Sequence, residues 1–281
     1  MKFGLIGHPI EHSLSPALFK AGYDGMYPYD LIIIEDFEEA YRIFLDEYDG
    51  INVTAPFKEL ALRKADIVSE ECRLVGAANI LIKTPQGITA YNSDFRGVVA
   101  IFRGLKGDEK RTPFATSSLL PPAARGVARF FHPLSDHEKT VLIVGAGGAG
   151  KAAKAAAEAM GYETTVINRT QYNPEIKPLS AFREEFRKAD IVIYNLPVRL
   201  PEIDLMTEAD LCPGKEKVIL EANYRNPSFD KGAIQRMVTM NPLIRYIDGR
   251  EWLLQQAVTG YELFTGKTPD CEAMKAVIKS K

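Results

Sequence analysis

The sequence predicts an α/β protein of two domains, each built on a mainly parallel sheet. Two runs of the chain, 2–82 and 140–222, alternate short apolar segments with amphipathic helical segments, as βαβ units do. Between them lies a tract, 105–139, that prolines and a serine and threonine cluster interrupt. The predicted organisation is a domain over 1–104 completed by helices over 249–281, a linker or insertion over 105–139, and a Rossmann-like domain over 140–248.

The first run alternates strands and helices from its beginning. Its predicted strands are short apolar segments at 2–6, 29–34, 50–53 and 80–82. Apolar residues at helical spacing predict helices over 37–47 and around 60–75. Segment 87–91 allows the last strand to pair as a hairpin, and the rest of this sheet is expected to be parallel.

The second run repeats the alternation and predicts a doubly wound sheet. Its strands are expected at 140–144, 164–168, 191–195 and 218–222. Helices are expected over 151–160, which is rich in alanine, and near 180–188. Two further helices, over 249–265 and 267–281, are predicted to end the chain.

Composition and charge restrict the functions that this chain can have. Of 281 residues, 46% are hydrophobic and 26% are charged, which is typical of a folded globular protein. The 35 basic and 37 acidic residues give a net charge of −2, which argues against a nucleic-acid partner. No apolar run reaches the roughly 18 residues of a membrane span, and the N-terminal one is too short for a signal peptide. We expect a small-molecule partner, and neither nucleic acid nor membrane.

The cysteines indicate the compartment. Cys72, Cys212 and Cys271 are odd in number and widely separated. This pattern predicts neither a disulfide framework nor a metal-binding pair, so it indicates a reducing environment. The expected location is the cytoplasm.

A glycine-rich loop follows the predicted strand over 140–144 and precedes the alanine-rich helix. Gly145, Gly147 and Gly150 form G-x-G-x-x-G in this context, with Gly148 and Ala149 completing the loop. Such glycines permit a tight turn and the close approach of a pyrophosphate, which the N–H groups and dipole at the helix start attract. The alternative is a turn without a ligand, but six residues of near-bare backbone are entropically costly in a turn that binds nothing. The loop predicts a dinucleotide site.

The triplet after the next predicted strand indicates which dinucleotide is bound. An NAD-selective site places an acidic residue about 20 residues after the glycine loop, to bind the ribose hydroxyls. This chain has Asn168, Arg169 and Thr170 there. A guanidinium can bind the 2′-phosphate of NADP by charge-assisted hydrogen bonds, so NADP is favoured over NAD. The alternative is a solvated surface arginine.

Polar clusters in the first run follow predicted strands, where open α/β sheets bind ligands. Ser13 and Ser15 can both point at one carboxylate, next to a helix that Pro16 can begin. The alternative for such serines is an ordinary helix cap. Lys58 can act as a general acid and base if a neighbour positions it, and is otherwise a surface lysine. Asp94 stands at a helix start, where capping is the alternative.

Taken in chain order, these clusters resemble the shikimate dehydrogenase family along almost the whole chain. The matching segments are H-S-x-S-P at 12–16, N-V-T-x-P-x-K at 52–58, G-A-x-N at 76–79 and N-S-D-x-x-G at 92–97, where the family has threonine in place of Ser93. The glycine loop, the triplet 168–170 and a terminal segment over 248–266 then follow. Seven matches in one order make chance an inadequate explanation.

The resemblance implies an oxidoreductase that acts on a CH–OH group. The reaction would be the NADP-dependent, reversible reduction of 3-dehydroshikimate to shikimate, a step of the shikimate pathway toward chorismate and the aromatic amino acids. The first domain would bind the substrate and the Rossmann-like domain would bind NADP. No metal is implied, and the protein would be a monomer or a homodimer.

The resemblance also implies roles for particular residues. Lys58 and Asp94 would be the catalytic pair, with Lys58 exchanging a proton at the reacting oxygen and Asp94 holding the lysine and a ring hydroxyl in register. The substrate-binding residues would be Ser13, Ser15, Thr54, Asn79, Tyr224 and Gln256, with the two serines at the carboxylate. The cofactor-binding residues would be Gly145, Gly147, Gly148, Ala149, Gly150, Asn168, Arg169, Thr170 and Gly249.

The chain departs from the family's pattern at three places. Phe19 and Lys20 stand where the family often has histidine and asparagine. The segment 194–197 reads Y-N-L-P where the family has N-A-T or N-C-T followed by threonine or small residues, and Glu251 and Trp252 replace a glycine and methionine pair. Two alternatives therefore stand beside the leading interpretation: a quinate and shikimate dehydrogenase of dual specificity, and a non-catalytic sensor of shikimate-like ligands.

Overall fold

A computed structural model describes residues 1–105 and 139–280. The described residues divide into two compact units: 1–105 with 254–280 form the first, and 139–253 form the second. Apart from its two end residues, the expected linker over 105–139 lies outside the described residues.

The first unit holds a six-stranded mixed sheet in its described part. The strands are β1 (Phe3–Gly7), β2 (Tyr29–Ile33), β3 (Gly50–Val53), β4 (Ile67–Val68), β5 (Ile80–Thr84) and β6 (Gly87–Tyr91), in the order β2-β1-β3-β5-β6-β4. β1 is parallel to β2 and β3, and β4 is parallel to β6. β5 is antiparallel to β3 and β6, which confirms the predicted hairpin.

Five helices accompany this sheet in residues 1–105. They are α1 (Ser15–Gly22), α2 (Phe37–Glu47), α3 (Lys58–Arg63), α4 (Glu70–Val75) and α5 (Ser93–Leu105). α2 begins where the Asp36 carboxylate accepts a hydrogen bond from the Glu39 N–H, and it buries Phe37, Ala40 and Phe44 along one face. α1 has proline in its first turn, as the sequence predicts.

The prediction of one helical stretch around 60–75 is wrong, because α3 and α4 are separated by β4. Ile67 and Val68 are β-branched and pair with β6. Immediately before them, the Asp66 carboxylate accepts a hydrogen bond from the Ile88 N–H at 2.7 Å. These contacts with the hairpin outweigh the helical spacing of the apolar residues.

The second unit contains a six-stranded parallel sheet. Its strands are β7 (Thr140–Val144), β8 (Glu163–Asn168), β9 (Ile176–Pro178), β10 (Ile191–Tyr194), β11 (Lys217–Glu221) and β12 (Ile244–Ile247), in the order β12-β11-β10-β7-β8-β9. The strand order reverses between β7 and β10, so the doubly wound prediction is confirmed. Such a reversal opens a crevice at the carboxyl ends of the strands.

The remaining α-helices of the described residues follow in chain order. They are α6 (Gly148–Ala159), α7 (Phe182–Lys188), α8 (Glu208–Leu211), α9 (Lys231–Met240), α10 (Gly249–Thr265) and α11 (Cys271–Lys279). α11 begins later than the predicted 267 because the Asp270 carboxylate accepts hydrogen bonds from the Glu272 and Ala273 N–H groups and so caps the helix. In the described residues, no helix is long and apolar enough to cross a membrane.

Candidate active site

Strand direction brings four groups of predicted site residues to one edge of the first sheet. β3 and β6 both run antiparallel to β5, so their carboxyl ends lie at the edge where β5 begins. β1 is parallel to β3 and brings its following loop to the same edge. Open α/β sheets bind ligands at such an edge. The residues that reach it are Ser13 and Ser15 after β1, Thr54 and Lys58 after β3, Asn79 before β5, and Asp94 after β6.

Lys58 and Asp94 form a largely buried ion pair at this edge. Lys58 is the first residue of α3, and Asp94 lies in the first turn of α5. The Lys58 Nζ donates to Asp94 Oδ2 at 2.5 Å, with 19% and 12% of the two side chains exposed. The surface alternative therefore does not describe Lys58. An ammonium held in this way can exchange a proton with the oxygen of a bound ligand.

Asp94 does not cap its helix, because Asn92 does. The Asn92 Oδ1 accepts a hydrogen bond from the Phe95 N–H at 3.0 Å, and its Nδ2 donates to the Ala77 carbonyl at 2.9 Å. The first turn of α5 thus has its own cap. The capping alternative for Asp94 is wrong, and its carboxylate faces Lys58 instead.

Asn79 is buried and held by Ser93. The Asn79 Oδ1 accepts from the Ser93 N–H at 2.7 Å, and its Nδ2 donates to the Ser93 Oγ at 3.1 Å. Only 4% of Asn79 is exposed. Since an amide has a second N–H and a second lone pair, the side chain keeps hydrogen-bonding capacity for a ligand hydroxyl.

Ser13 and Ser15 face each other across a single turn. Their Oγ atoms are 3.1 Å apart, with Ser13 donating, and the Ser15 N–H donates to the Ser13 Oγ at 3.2 Å. The residue at the capping position of α1 is Leu14, so neither serine is an ordinary cap. Two half-buried hydroxyls at this spacing can donate to one carboxylate.

Thr54 lies beside the loop that carries these serines. The Thr54 N–H donates to the Ile6 carbonyl at 2.9 Å. A Cβ atom on Gly7 would come within 2.4 Å of the Thr54 Cγ2, so glycine is what allows the two segments to approach. Thr54 thus belongs to the same edge as Ser13 and Ser15.

The glycine loop of the second unit has the geometry of a phosphate cradle. Gly145 adopts a φ of 98°, which favours glycine, and a Cβ on Gly150 would lie only 1.9 Å from the Gly145 carbonyl oxygen. Gly147 and Gly148 are exposed at the start of α6, and no side chain caps that helix. Ala149 is half-buried in the first turn. The amide groups at this helix start are therefore open to an anion.

Arg169 is exposed beside this cradle. Asn168 ends β8, accepts from the Ala146 N–H at 3.3 Å, and donates to the Thr170 carbonyl at 2.9 Å. Within the described parts of the chain, the Arg169 guanidinium makes no hydrogen bond or ion pair. The two Asn168 bonds thus hold the segment with the exposed Arg169 and Thr170 next to the glycine loop. A phosphate site requires such exposed donors in a fixed position.

The other predicted site residues are divided between the units. Tyr224 follows β11 in the second unit and is half-buried, with the Arg225 guanidinium 5.7 Å from its ring centre. Gly249 begins α10, and a Cβ there would lie 2.6 Å from the Ala222 carbonyl oxygen, which explains the glycine by close backbone packing. Gln256 is half-buried on α10 within the first unit.

The three departures from the family pattern are largely explained by packing. Phe19 is fully buried, with its ring 4.7 Å from that of Tyr29. Tyr194 is also fully buried, and its hydroxyl donates to the Val198 carbonyl at 2.7 Å, which shapes the loop after β10. Trp252 is 4% exposed. These aromatic residues are core side chains, while Lys20 and Glu251 are exposed.

Two residues near the glycine loop lie outside the set of ligand contacts that the sequence predicts. Asn195 follows β10 at the reversal point, and its buried Oδ1 has no hydrogen-bond donor among the described residues. Tyr172 is exposed, and its hydroxyl donates to the Ala146 carbonyl at 3.3 Å. An asparagine at the end of a switch-point strand could have indicated the first. No local pattern would have indicated the second.

Two family models match the chain. Residues 5–81 match the shikimate dehydrogenase substrate binding domain. Residues 126–244 match the NAD binding domain of D-isomer specific 2-hydroxyacid dehydrogenases. The first match lies within the first unit, and the second begins at residue 126, inside the tract 105–139.

Curated relatives and solved structures agree with the first match. The shikimate dehydrogenase (NADP(+)) of Caldanaerobacter subterraneus subsp. tengcongensis is 28% identical over 94% of this chain and 91% of its own length. Shikimate 5-dehydrogenase from Thermus thermophilus, solved with NADP(H) and shikimate, gives a TM-score of 0.72 at 23% identity, covering 100% of this chain and 99% of that one. Quinate dehydrogenase from Corynebacterium glutamicum, solved with NAD, gives 0.73 at 21% identity, with the same coverage. At these identities the two structures establish the fold alone.

Proposed function

We propose that the chain catalyses the NADP-dependent, reversible reduction of 3-dehydroshikimate to shikimate, which is supported by the match to the shikimate dehydrogenase substrate binding domain and by the similarity to shikimate dehydrogenase (NADP(+)) relatives. The observation that carries the proposal is the 2.5 Å contact between the Lys58 ammonium and the Asp94 carboxylate, at the sheet edge that also holds the serine pair and Asn79. A protein that only bound an acid would need no buried proton donor there. This favours an enzyme over a sensor.

The second unit fits NADP. The cradle has open amide groups at Gly147 and Gly148, and the unpaired Asn195 Oδ1 offers an acceptor beside it. The exposed Arg169 supplies the positive charge that the 2′-phosphate requires. We propose that the pyrophosphate is held by Gly145, Gly147, Gly148, Ala149 and Gly150, and the 2′-phosphate by Asn168, Arg169 and Thr170. Gly249 is proposed to line the cofactor site.

The reduction adds a hydride and a proton to a carbonyl group. When bound, NADPH supplies the hydride. We propose that the Lys58 Nζ donates the proton to the carbonyl oxygen and recovers one from solvent, and that in the reverse direction it accepts the proton of the alcohol. Asp94 holds the ammonium in place, and its carboxylate accepts a hydrogen bond from a ring hydroxyl.

The substrate roles follow from the side chains at the sheet edge. Ser13 and Ser15 are proposed to donate hydrogen bonds to the carboxylate, with Thr54 beside them. Asn79 and Gln256 are proposed to bond the ring hydroxyls, and Tyr224 is proposed as a further substrate-binding residue. Uncharged donors and acceptors suit a polyhydroxylated acid, because an unpaired hydroxyl in a closed site costs about 1–3 kcal/mol.

The test is a set of four reactions followed by the absorbance of reduced nicotinamide. Shikimate or quinate is mixed with NADP or NAD. We expect rapid reduction with shikimate and NADP, and slower reduction in the other three. No reduction in any of the four, with ligand binding still detectable by thermal shift, would contradict the proposal and favour a sensor. If quinate were oxidised faster than shikimate, the protein would have the specificity of a quinate dehydrogenase.

We further propose how the protein is organised in the cell. Residues 1–104 with 249–281 would form the substrate domain, and 140–248 the NADP domain. The three cysteines are free thiols, which supports a reducing cytoplasm. A monomer or a homodimer is proposed, and light scattering during gel filtration measures which one forms.

A further inference from the structure

Tyr261 on α10 contacts the serine pair from a distant part of the chain. Its hydroxyl donates to the Ser15 carbonyl at 3.1 Å, across a separation of 246 residues. Only 2% of Tyr261 is exposed, and burial raises the pKa of its hydroxyl well above the ordinary value. The group therefore remains a neutral donor at every physiological pH.

The Tyr261 hydroxyl bonds to Ser15, one of the two serines that are proposed to bind the substrate carboxylate. Ser15 is the first residue of α1, and its Oγ is 3.1 Å from that of Ser13. A change in the first turn of α1 would alter the direction of the Ser15 hydroxyl relative to Ser13. The Tyr261 hydroxyl opposes such a change because it fixes the Ser15 carbonyl to α10.

The ring of Tyr261 is held independently of its hydroxyl. It packs edge-on against Phe19, with ring centres 4.8 Å apart and planes at 77°. Phe19 is itself fully buried in α1. The substitution Tyr261→Phe therefore removes one hydrogen bond and keeps the packing between α10 and α1.

The neighbouring residue on α10 faces another part of the same site. A Cβ atom on Gly260 would lie 2.9 Å from Ile80 Cδ1 and 3.4 Å from the Ser93 Oγ. Ser93 in turn holds Asn79. One turn of α10 thus packs against Ser15 on one side and against the Ser93 and Asn79 pair on the other.

We propose that Tyr261 is a positioning residue that holds the Ser13 and Ser15 hydroxyls in register for the carboxylate of the substrate. This inference rests on the proposed function, since it takes the carboxylate of shikimate as the ligand. Tyr261 does not touch the reacting atoms. It acts through Ser15, and its removal affects substrate binding more than turnover.

The test compares Tyr261→Phe with Tyr23→Phe in the full-length protein. Tyr23 belongs to the same aromatic cluster and is buried, but its hydroxyl donates to the Lys267 carbonyl at 2.9 Å and accepts from Thr265. Each variant loses one tyrosine hydroxyl, so Tyr23→Phe shows what destabilisation alone does. We expect Tyr261→Phe to raise the shikimate Kd in calorimetry and the shikimate KM by roughly 3- to 10-fold, the loss of one hydrogen bond. We expect kcat to change by less than about twofold.

A double-mutant cycle shows whether the effect passes through Ser15. Ser15→Ala removes the hydroxyl that Tyr261 positions, so Tyr261→Phe in that background should change the Kd by less than about twofold. Equal effects of Tyr261→Phe in both backgrounds, or an effect equal to that of Tyr23→Phe, would overturn the inference. If the unchanged protein binds no shikimate, the proposed function fails and the inference fails with it. If it binds shikimate and Tyr261→Phe binds equally well, only the inference fails.

Discussion

Substitution of Lys58 should separate the proton-transfer step from the binding of shikimate. We predict that Lys58→Ala lowers kcat for shikimate oxidation by roughly 10²- to 10⁴-fold, the usual contribution of a general acid and base. The shikimate Kd should change much less, because the serines and Asn79 remain. Stopped-flow or steady-state absorbance gives kcat, and calorimetry gives Kd.

The matched control for this change is Lys64→Ala. Lys64 follows α3, and its Nζ pairs with the Glu38 carboxylate at 2.7 Å on the surface. Exposed ion pairs contribute little, so both kcat and Kd should stay near their original values. A Lys58→Ala variant as active as Lys64→Ala would remove Lys58 from the mechanism.

Arg169 should determine cofactor preference. We predict that Arg169→Ala weakens NADP binding by roughly 10- to 100-fold, as expected for lost charge-assisted hydrogen bonds, and leaves NAD binding nearly unchanged. Fluorescence titration of the reduced cofactors measures both constants. Arg245→Ala is the control, because Arg245 is an exposed arginine on β12, at the other edge of the same sheet. Equal losses for NADP and NAD would contradict a role at the 2′-phosphate.

At the residue scale, the sequence indicates which residues are candidates for the site, but it does not indicate which of them contact one another. Lys58 and Asp94 are 36 positions apart, and only the pairing of β3, β5 and β6 brings them together. Asn92, two positions before Asp94, takes the capping role that local spacing assigned to Asp94. Asn92 is held in this role by its bond to the Ala77 carbonyl, and the position of that carbonyl is set by the tertiary structure.

The glycine loop and α6 act as one element, in which Gly150 is needed for packing and Gly147 for ligand binding. We predict that Gly150→Ala destabilises the second unit, because the new Cβ would meet the Gly145 carbonyl oxygen. Gly147→Ala should leave the free energy of unfolding nearly unchanged, since no atom lies within 4 Å of a Cβ there. It should still weaken NADP binding, because the methyl group occupies the open side of the cradle. Urea denaturation and cofactor titration together separate the two effects.

The contact between α7 and α8 should make stability depend on pH. Burial would raise the pKa of the Asp210 carboxyl, but hydrogen bonds from Arg183, Thr207 and Arg187 hold it well below its ordinary value. A lowered native pKa contributes stability above the unfolded value of about 3.9, and that stability is lost as the pH falls. Asp210→Asn should cost roughly 1.5–3 kcal/mol at pH 7. The difference from the unchanged protein should shrink by about 1 kcal/mol at pH 3.

Asp204→Asn is the control for this pH dependence. Asp204 also pairs with two arginines, Arg199 and Arg236, but half of its side chain is exposed. Solvent screens these pairs, so the free energy of unfolding should change by less than about 1 kcal/mol at either pH. Urea denaturation at pH 7 and pH 3 compares the variants. Equal costs for the two substitutions would show that burial of Asp210 does not matter.

Elements with a strong internal pattern could be predicted, and elements defined by their neighbours could not. The helix over 37–47 is predicted with its observed ends because its apolar face lies within the segment and its cap, Asp36, directly precedes it. β4 is only two residues long and exists because β6 pairs with it. β9 is three residues long and ends in Pro178 at the sheet edge, so it carries almost no strand signal of its own.

At the scale of the whole molecule, the chain returns to its first unit after building the second. The Asp270 N–H donates to the Gly22 carbonyl at 2.8 Å, and the Tyr23 hydroxyl donates to the Lys267 carbonyl. These bonds attach the C-terminal segment to α1. Helical spacing predicted the terminal helices, but their return to the first domain came from the family resemblance, since no local pattern specifies it.

This arrangement predicts that the two ligands protect different segments of the chain. Shikimate should slow amide hydrogen exchange around 13–15, 52–58 and 92–94, all in the first unit, because the serine pair, Thr54, Lys58 and Asp94 lie there. Adenosine 2′,5′-bisphosphate, which has no nicotinamide, should slow exchange around 168–170 in the second unit and should fail to do so in Arg169→Ala. The variant must still be protected by shikimate, since the first unit is unchanged. Protection of 168–170 by shikimate alone would contradict the assignment of that segment to the cofactor.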